Sequence, residues 1–480
     1  MARCAYRRDM RGRRDDDVWD LLVIGGGTAG MVGAKTAASL GARVLLVERD
    51  RTGGDCLWTG CVPSKALLAA ADAAASARAA GRFGVDVGEV RVDFGRVRKH
   101  LQAAIEHIRP VDSVEALEAA GVAVATADAV LTGPDTAEVG GRTVRFRYAL
   151  LATGAAPLLP PIDGLADADP LTSETVWDLT ELPGRLAVLG GGPIGCELGQ
   201  AFARLGSAVT VVDAADRLLS GETEEASALV TAALRRDGVT VRTGAGVTAV
   251  REGALRLADG SAVPFDRLLV AVGRKARTDG LGCETAGVGL REDGTVVVDG
   301  ALRTTNPRIW AAGDLTGHPQ FTHTAGVHGS LAAGNAVLGL TRQVDPVVPR
   351  VTYTSPEVAS VGLAPGEGHG VQRVGHGYVD RAVAEGETEG STTLVLDRRR
   401  RIVGATVVGP RAGEVLGELT LAVRKRMTTS DLAGTTHAYP TYSGGAWDAA
   451  VADVRARLAG PVLRRVLRAV VRLRAQRSAR

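Results

Sequence analysis

One stretch of this chain occurs twice. Asp20-Leu-Leu-Val-Ile-Gly-Gly-Gly-Thr-Ala-Gly30 returns as Arg185-Leu-Ala-Val-Leu-Gly-Gly-Gly-Pro-Ile-Gly195. The copies align without a gap for about thirty residues, so that Leu40-Gly41 falls on Leu205-Gly206 and Val44-Leu-Leu-Val-Glu48 on Val209-Thr-Val-Val-Asp213. Each copy reads as an apolar strand, a glycine turn, a helix, a Leu-Gly stop, a second apolar strand and an acid. The order has a physical logic. The first glycine (Gly25, Gly190) turns the chain tightly, and the second (Gly27, Gly192) lets a pyrophosphate approach the backbone. The third (Gly30, Gly195) packs helix against strand. The helix then presents its first N–H groups and its dipole to the phosphates, and Glu48 or Asp213 can accept from ribose hydroxyls. A single such motif is weak. Two, each between strand and helix and each closed by a spaced acid, imply two dinucleotide sites in an α/β chain with two Rossmann-like domains.

The acid at Asp213 favours NADH over NADPH in the second site, because a carboxylate there repels a 2′-phosphate; Arg217 close by tempers that preference. Three more strand-to-turn segments fit the plan: Tyr148-Ala-Leu-Leu-Ala-Thr-Gly-Ala with Thr153 and Gly154, Arg267 to Arg274 with Gly273, and Ile309-Trp-Ala-Ala-Gly-Asp314.

Composition narrows the function classes. With 480 residues, 45% hydrophobic and 23% charged, the chain suits about three globular domains and not a disordered or fibrous protein. Its net charge of +3 gives no whole-chain field for nucleic acid. The five cysteines, Cys4, Cys56, Cys61, Cys196 and Cys283, do not read as a secreted disulfide framework. The charged start, Met1 to Asp17, lacks the apolar core of a signal peptide, and no apolar run is long enough to span a bilayer. A cytoplasmic location is expected, where a disulfide is more often catalytic than structural. No resident metal site is read from the sequence.

Two cysteines stand out in Gly53-Gly-Asp-Cys-Leu-Trp-Thr-Gly-Cys-Val-Pro-Ser-Lys65. Pro63 suits the first turn of a helix, and the alanine-rich run Ala66 to Ala80 is a strong helix former. Cys61 therefore sits beside a helix N-terminus, where the dipole favours a thiolate. Five residues of regular helix advance about 7.5 Å, more than the roughly 6.8 Å between Cα atoms that a disulfide tolerates. Gly60 would let the chain bend and bring the sulfurs together. The alternative is two unrelated buried thiols. Cys196 reads as a small core residue, and Cys4 and Cys283 have no evident partner.

With these motifs, the chain resembles the flavoprotein pyridine nucleotide–disulfide oxidoreductases, the group of dihydrolipoamide dehydrogenase, glutathione reductase and mercuric reductase. The resemblance spans about residues 18 to 455 and rests on Gly25-x-Gly27-x-x-Gly30, Cys56-x4-Cys61-Val-Pro-Ser-Lys65, Ala152-Thr-Gly154, Gly190-x-Gly192-x-x-Gly195-x-Glu197 and Ala312-Gly-Asp314. It implies FAD in the first site and NAD(P)H in the second, and a homodimer built on a C-terminal α+β dimerisation domain. It implies a redox-active Cys56–Cys61 disulfide, with Cys61 nearest the flavin and Cys56 exchanging with a small-molecule acceptor. Lys65 and Glu197 would pair beside the flavin ring, and Asp314 would hold its ribityl chain. The cofactor supplies the redox chemistry, and the protein supplies placement and electrostatics.

The pattern departs from the family near the C-terminus. There the family places a catalytic base, supplied by the partner subunit, in a His-Pro segment, with a Glu five residues later. Here the segment is Thr435-Thr-His-Ala-Tyr-Pro-Thr-Tyr-Ser-Gly-Gly445, which puts Tyr439 at the His position and Gly444 at the Glu position. A phenol titrates near 10 and an imidazole near 6.5, so Tyr439 is a poor base at neutral pH though a usable hydrogen-bond donor. His437, two residues upstream, is the substitute base or a structural histidine, with no positioned acid evident. Mercuric reductases resemble the chain in carrying Tyr near this place. They also deliver Hg(II) through a further cysteine pair, and this sequence has no cysteine after Cys283, so Hg(II) delivery is not supported at this stage. A small disulfide, a metal ion and a quinone-like molecule remain as acceptors, the last two taking electrons directly from the flavin in one alternative. A cofactor-binding scaffold without turnover is the rival from another class.

The expected domains are a basic arm at 1–17, FAD-binding segments at 18–165 and 293–345, an NAD(P)-binding domain at 166–292, an interface domain at 346–458 and a basic amphipathic tail at 459–480. The interface domain should carry antiparallel strands around Val351 to Gly362 and Thr393 to Val408, then helices at Glu414 to Arg426 and Gly445 to Leu458. A second substrate domain without dimerisation is its runner-up. In the tail, Leu463, Val466, Leu467, Val470 and Val471 form one helical face with Arg464, Arg465, Arg468 and Arg472 around it. The plainer reading is a solvated or self-packed terminal helix; the other is weak contact with an anionic membrane surface.

Overall fold

The computed structural model describes residues 18–478; the expected basic arm and Cys4 lie outside them. The described chain forms two compact units. One runs to Val212 and resumes at Ala245–Asp345; the other takes Asp213–Gly244 and the chain from Pro346 onward.

The first unit is built on the repeat. Strands Trp19–Ile24, Val44–Glu48, Val122–Thr126 and Arg142–Leu151 form a parallel sheet in which Trp19–Ile24 is central, paired as Val23↔Leu46 on one side and Ile24↔Leu151 on the other. Ile309–Ala311 extends the sheet in parallel beside Arg142–Leu151. Both faces are covered where these strands pair in parallel, which is why Leu21–Ile24, Val44–Val47 and Ala149–Leu151 read as apolar runs rather than alternating ones. Leu22, Leu45, Phe146 and Leu151 pack on one face. Leu21, Val23, Leu46 and Leu150 pack on the other, against alanines of helices Thr28–Ser39 and Thr322–Leu338. Each fully buried leucine of these strands stabilises the unit by about 1.5–3 kcal/mol. The two helices approach so closely that a Cβ on Gly329 would overlap the carbonyl oxygen of Ala29.

The second copy repeats the order. Arg185–Leu189 lies between Ala208–Val212 and Arg267–Val270, all parallel, with Val188 paired to Val211 and to Leu269. Helix Pro193–Leu205 follows the glycine turn and starts on proline, where a missing N–H costs nothing.

In the second unit, five strands lie in the order Arg350–Thr352, Glu357–Gly362, Ile402–Gly409, Ser391–Leu396, Gly370–Gly375, all antiparallel. Helices Ala412–Arg424, Thr429–Ala433 and Gly444–Leu458 pack on them through Leu416, Leu419, Leu432, Ala446 and Ala449. This is the expected α+β arrangement, with element boundaries shifted by one or two residues. The tail forms a further helix, Pro461–Ser478.

Candidate active site

The two glycine turns are set up to receive phosphates. Gly25 and Gly190 adopt φ of 109° and 112°, which side-chain-bearing residues avoid. A Cβ on Gly30 would overlap the carbonyl oxygen of Gly25, and one on Gly195 that of Gly190, so helix and strand meet at backbone distance in both copies. Helices Thr28–Ser39 and Pro193–Leu205 begin at Gly27 and Gly192, and neither has a side-chain cap. A Cβ on Gly192 would meet only open space, and one on Gly27 nothing nearer than 3.8 Å. Each helix start is therefore an uncapped, roomy cradle of N–H donors, which fits the pyrophosphate of FAD or of a nicotinamide dinucleotide.

The acids take up the expected ends of the second strands. Glu48 closes Val44–Glu48, and its carboxylate accepts from the backbone N–H of Gly26 (2.6 Å) and Asp50 (3.0 Å). Asp213 directly follows Ala208–Val212 and accepts from Ala215 N–H at 2.7 Å. The Arg217 guanidinium is engaged by the carbonyls of Ser220 (2.7 Å), Glu222 (2.9 Å) and Leu219 (3.3 Å), all in its own loop.

The cysteine segment lies against the first cradle: a Cβ on Gly54 would come within 2.6 Å of Gly27 Cα. Cys56 sits in the short helix Gly54–Trp58, and Cys61 opens the helix Cys61–Ala79. Between them the chain folds back at Gly60, where a Cβ would stand 2.8 Å from Asp55 O and 3.4 Å from Cys56 Cα. Gly60 thus permits the return that a regular helix forbids. The indole N–H groups of Trp58 and Trp177 pin the segment, donating to Thr52 O and Thr59 O, each at 2.8 Å.

The two sulfurs are electrostatically unlike, and Cys61 is the more exposed of them: Cys56, expected to meet the acceptor, is half-buried. The Cys56 thiol donates to Cys61 and brings the Cys61 pKa down to about 6, helped by the Thr322 hydroxyl, 3.2 Å from Cys61 Sγ, and by the Lys65 ammonium. The same hydrogen bond, with burial, pushes the Cys56 thiol well above its ordinary range. Cys61 is thus the thiolate end and Cys56 the protonated end. Lys65, one turn beyond Cys61, donates to Glu197 at 2.9 Å, and Glu197 is buried at the start of helix Pro193–Leu205.

Beside this pair lies a half-buried acid–base cluster. Arg274 donates to Asp55 and to Ala155 O, and its Nε lies 3.6 Å from Asp314 Oδ2 without a hydrogen-bond partner. Arg277 bridges Asp55 and Glu174. Burial pushes the Asp314 carboxyl above the usual range, against the opposing pull of Arg274. A half-buried carboxyl and a buried, orphaned guanidinium N–H suit a polyhydroxyl chain such as the ribityl of FAD. Thr153 ties the neighbouring turn down, its hydroxyl donating to Arg277 O at 2.7 Å, with Gly154 at φ 71°. Gly273 turns at φ 138° after Arg267–Val270.

In the second unit, Tyr439 is strongly exposed and donates its hydroxyl to Asp380 Oδ2 at 2.7 Å, which raises the phenol above its ordinary range. His437 is not without an acid. Its Nε2 lies 2.8 Å from Glu418 Oε1 and its Nδ1 2.9 Å from Thr435 O. Both ring nitrogens are thus engaged by oxygens of the fold. Glu418, Thr322, Asp55 and Arg274 were not singled out by sequence, although Asp55 lies within the cysteine segment and Arg274 closes the segment Arg267–Arg274. Each meets its partner only through the fold. Cys196 and Cys283 are buried, Cys196 with Sγ 3.3 Å from Gly191 O.

Comparison with known proteins places this geometry. The profile of the pyridine nucleotide-disulphide oxidoreductases matches residues 19–329, and that of their dimerisation domain matches residues 348–450. The chain belongs to this family. It is 40% identical over 444 residues to a mercuric reductase of Streptomyces lividans, covering 88% of this chain and 94% of that one. It is 34% identical over 445 residues to a dihydrolipoyl dehydrogenase of Chlamydia pneumoniae, covering 88% and 95%. Among solved structures it resembles LpdA of Mycobacterium tuberculosis (TM-score 0.82, 27% identity, 90% of this chain and 99% of that). It also resembles the HOCl-induced flavoprotein disulfide reductase RclA of Escherichia coli in its Cu(II) complex (TM-score 0.79, 27% identity, 88% and 98%). The protein is an FAD-dependent NAD(P)H disulfide oxidoreductase, and its dimerisation domain fits a homodimer. Among the described residues, no helix is long and apolar enough to cross a membrane.

Proposed function

We propose that electrons enter from NADH and leave through Cys56 and Cys61 to a small acceptor that exchanges at Cys56. Bound FAD supplies the two-electron centre linking nicotinamide to dithiol. Gly25, Gly27, Gly30, Glu48, Thr153, Gly154 and Asp314 hold it, with Lys65 beside its ring. Gly190, Gly192, Gly195, Asp213 and Gly273 hold the nicotinamide dinucleotide, and Glu197 fixes Lys65. The preference for NADH is supported by the Asp213 carboxylate and by Arg217, whose donors are committed to its own loop. The proposed domain boundaries are those read from the sequence, with the interface domain at 346–458, and the proposed compartment is the cytoplasm.

The observation that carries this reading is the asymmetry of the dithiol. Gly60 folds Cys56 back against Cys61, which opens its helix with the Thr322 hydroxyl 3.2 Å from its Sγ and Lys65 one turn on, and these surroundings lower the pKa of the Cys61 thiol and raise that of the Cys56 thiol. Cys56 gives up its proton as it attacks the substrate disulfide, and that proton leaves with the first substrate thiol; the Cys61 thiolate then attacks the Cys56 sulfur of the mixed disulfide, closing the Cys56–Cys61 disulfide and releasing the second substrate thiol. Activity of the wild type and of Cys56→Ser with NADH and a small disulfide tests it. The variant should lose disulfide turnover while keeping NADH-dependent reduction of a quinone, and full disulfide turnover in the variant would refute the dithiol route.

A second reading takes a soft metal ion as the acceptor. It is favoured by the proton-handling groups of this chain: Tyr439 gives its hydrogen to Asp380, and His437 has both nitrogens engaged. A thiophilic ion displaces the Cys56 proton as it binds the two sulfurs, so no base is needed to deprotonate a substrate. NADH oxidation driven by Hg(II) or Cu(II) and lost in Cys56→Ser distinguishes this acceptor from the disulfide.

A further inference from the structure

The terminal helix Pro461–Ser478 is the one element whose described side chains all lie exposed. At 100° per residue, Val462, Leu473, Val466, Val470, Leu463, Leu467 and Val471 fall in that order over half the circumference. Arg464, Arg468, Arg472 and Arg465 fill the opposite side. The helix holds six arginines and no acid. Five valines and leucines, Val462, Val466, Val470, Val471 and Leu473, are 47–73% exposed, an apolar face that water penalises. Arg474 and Arg477 interrupt the apolar arc only near its C-terminal end, where long stems let the charge rise to an interface.

These features point to one occupant. A second protein copy would bring six more arginines to the same seam, and like charges oppose that. Nucleic acid would use the arginines and leave the apolar arc in water. An anionic lipid surface satisfies both sides at once, the arc entering the headgroup boundary and the arginines meeting lipid phosphates. The helix is about 27 Å long, and its arginines keep it from crossing the bilayer, so it lies in the plane of the surface. We infer that this helix docks the enzyme on anionic membranes. The inference is independent of the acceptor.

The test is co-sedimentation of full-length, FAD-loaded enzyme with vesicles of phosphatidylcholine, with or without phosphatidylglycerol, at physiological salt. The enzyme should pellet with the anionic vesicles and stay in solution with the neutral ones. Deletion of residues 461–480, the pair Val466→Asp and Val470→Asp, and the triple Arg465→Gln, Arg468→Gln and Arg472→Gln should each reduce pelleting about tenfold or more. FAD content and NADH-reduced absorbance should stay unchanged and so report the fold. Equal sedimentation of full-length and truncated enzyme overturns the inference. Undiminished binding after the valine changes overturns it in favour of a purely electrostatic partner such as nucleic acid. A fall in oligomeric mass on truncation, without vesicle binding, overturns it in favour of a second copy.

Discussion

Replacing Thr322 by Val removes the hydroxyl 3.2 Å from Cys61 Sγ and keeps the β-branched shape at the first position of helix Thr322–Leu338. A hydrogen bond to a charged group contributes about 1.5–3 kcal/mol, and the lower end applies because Cys61 is exposed. At about 1.4 kcal/mol per pKa unit, the Cys61 pKa should rise by about one unit. It starts at about 6, held down first by the Cys56 thiol and then by Thr322 and Lys65. The thiolate fraction at pH 7 should therefore fall from about nine-tenths to about half. The assay is a pH titration of the two-electron-reduced holoenzyme, following the long-wavelength absorbance of a thiolate beside the flavin, with iodoacetamide alkylation rate as a second readout. Thr322→Ser, which keeps the hydroxyl, should restore the wild-type midpoint. Coincident midpoints for wild type and Thr322→Val would show that Cys61 owes its ionisation to Cys56 and Lys65 alone.

Gly30→Ala drives a Cβ into the carbonyl of Gly25 and should yield protein lacking FAD, whereas Gly195→Ala should retain FAD and raise KM for NADH at least about tenfold; flavin absorbance and steady-state kinetics separate the two. Lys65→Met takes the ammonium from the buried Glu197 and should lower stability by about 1 kcal/mol, a figure discounted because the Lys65 side chain is 39% exposed. A urea midpoint measures that loss, and the Cys61 titration should move upward in the same variant. Tyr439→Phe removes a donor to Asp380, not a base, and should change turnover at pH 7 by less than about threefold without shifting its pH profile; loss of an ionisation from the profile would contradict that role.

The repeat was legible because its physics is local. Gly25 to Gly30 and Gly190 to Gly195 are short segments whose close approaches are made within the same turn, and their flanking strands are mostly apolar because both faces of the sheets are covered. The cysteine pair was legible for a similar reason, Gly60 lying between the two residues it brings together. What tunes the site was not. Thr322 is 261 positions from Cys61, and Arg274 is 219 from Asp55, so no spacing rule connects them. Glu418 lies 19 residues before His437, on helix Ala412–Arg424 while the histidine lies in a loop, and sequence alone left that histidine without an acid. Arg217 had the right neighbourhood for a 2′-phosphate, but three carbonyls of its own loop claim its guanidinium, a detail of loop conformation and not of composition.

Anaerobic titration of the purified flavoprotein with NADH, following its visible spectrum, tests the central claim most directly, since it interrogates FAD, the nicotinamide and the Cys56–Cys61 pair together. A long-wavelength thiolate–flavin band should appear after one equivalent, be absent in Cys61→Ser, and form far less readily with NADPH. Direct bleaching to reduced flavin without that band would contradict the account, because Cys56 and Cys61 would then stand outside the path of the electrons.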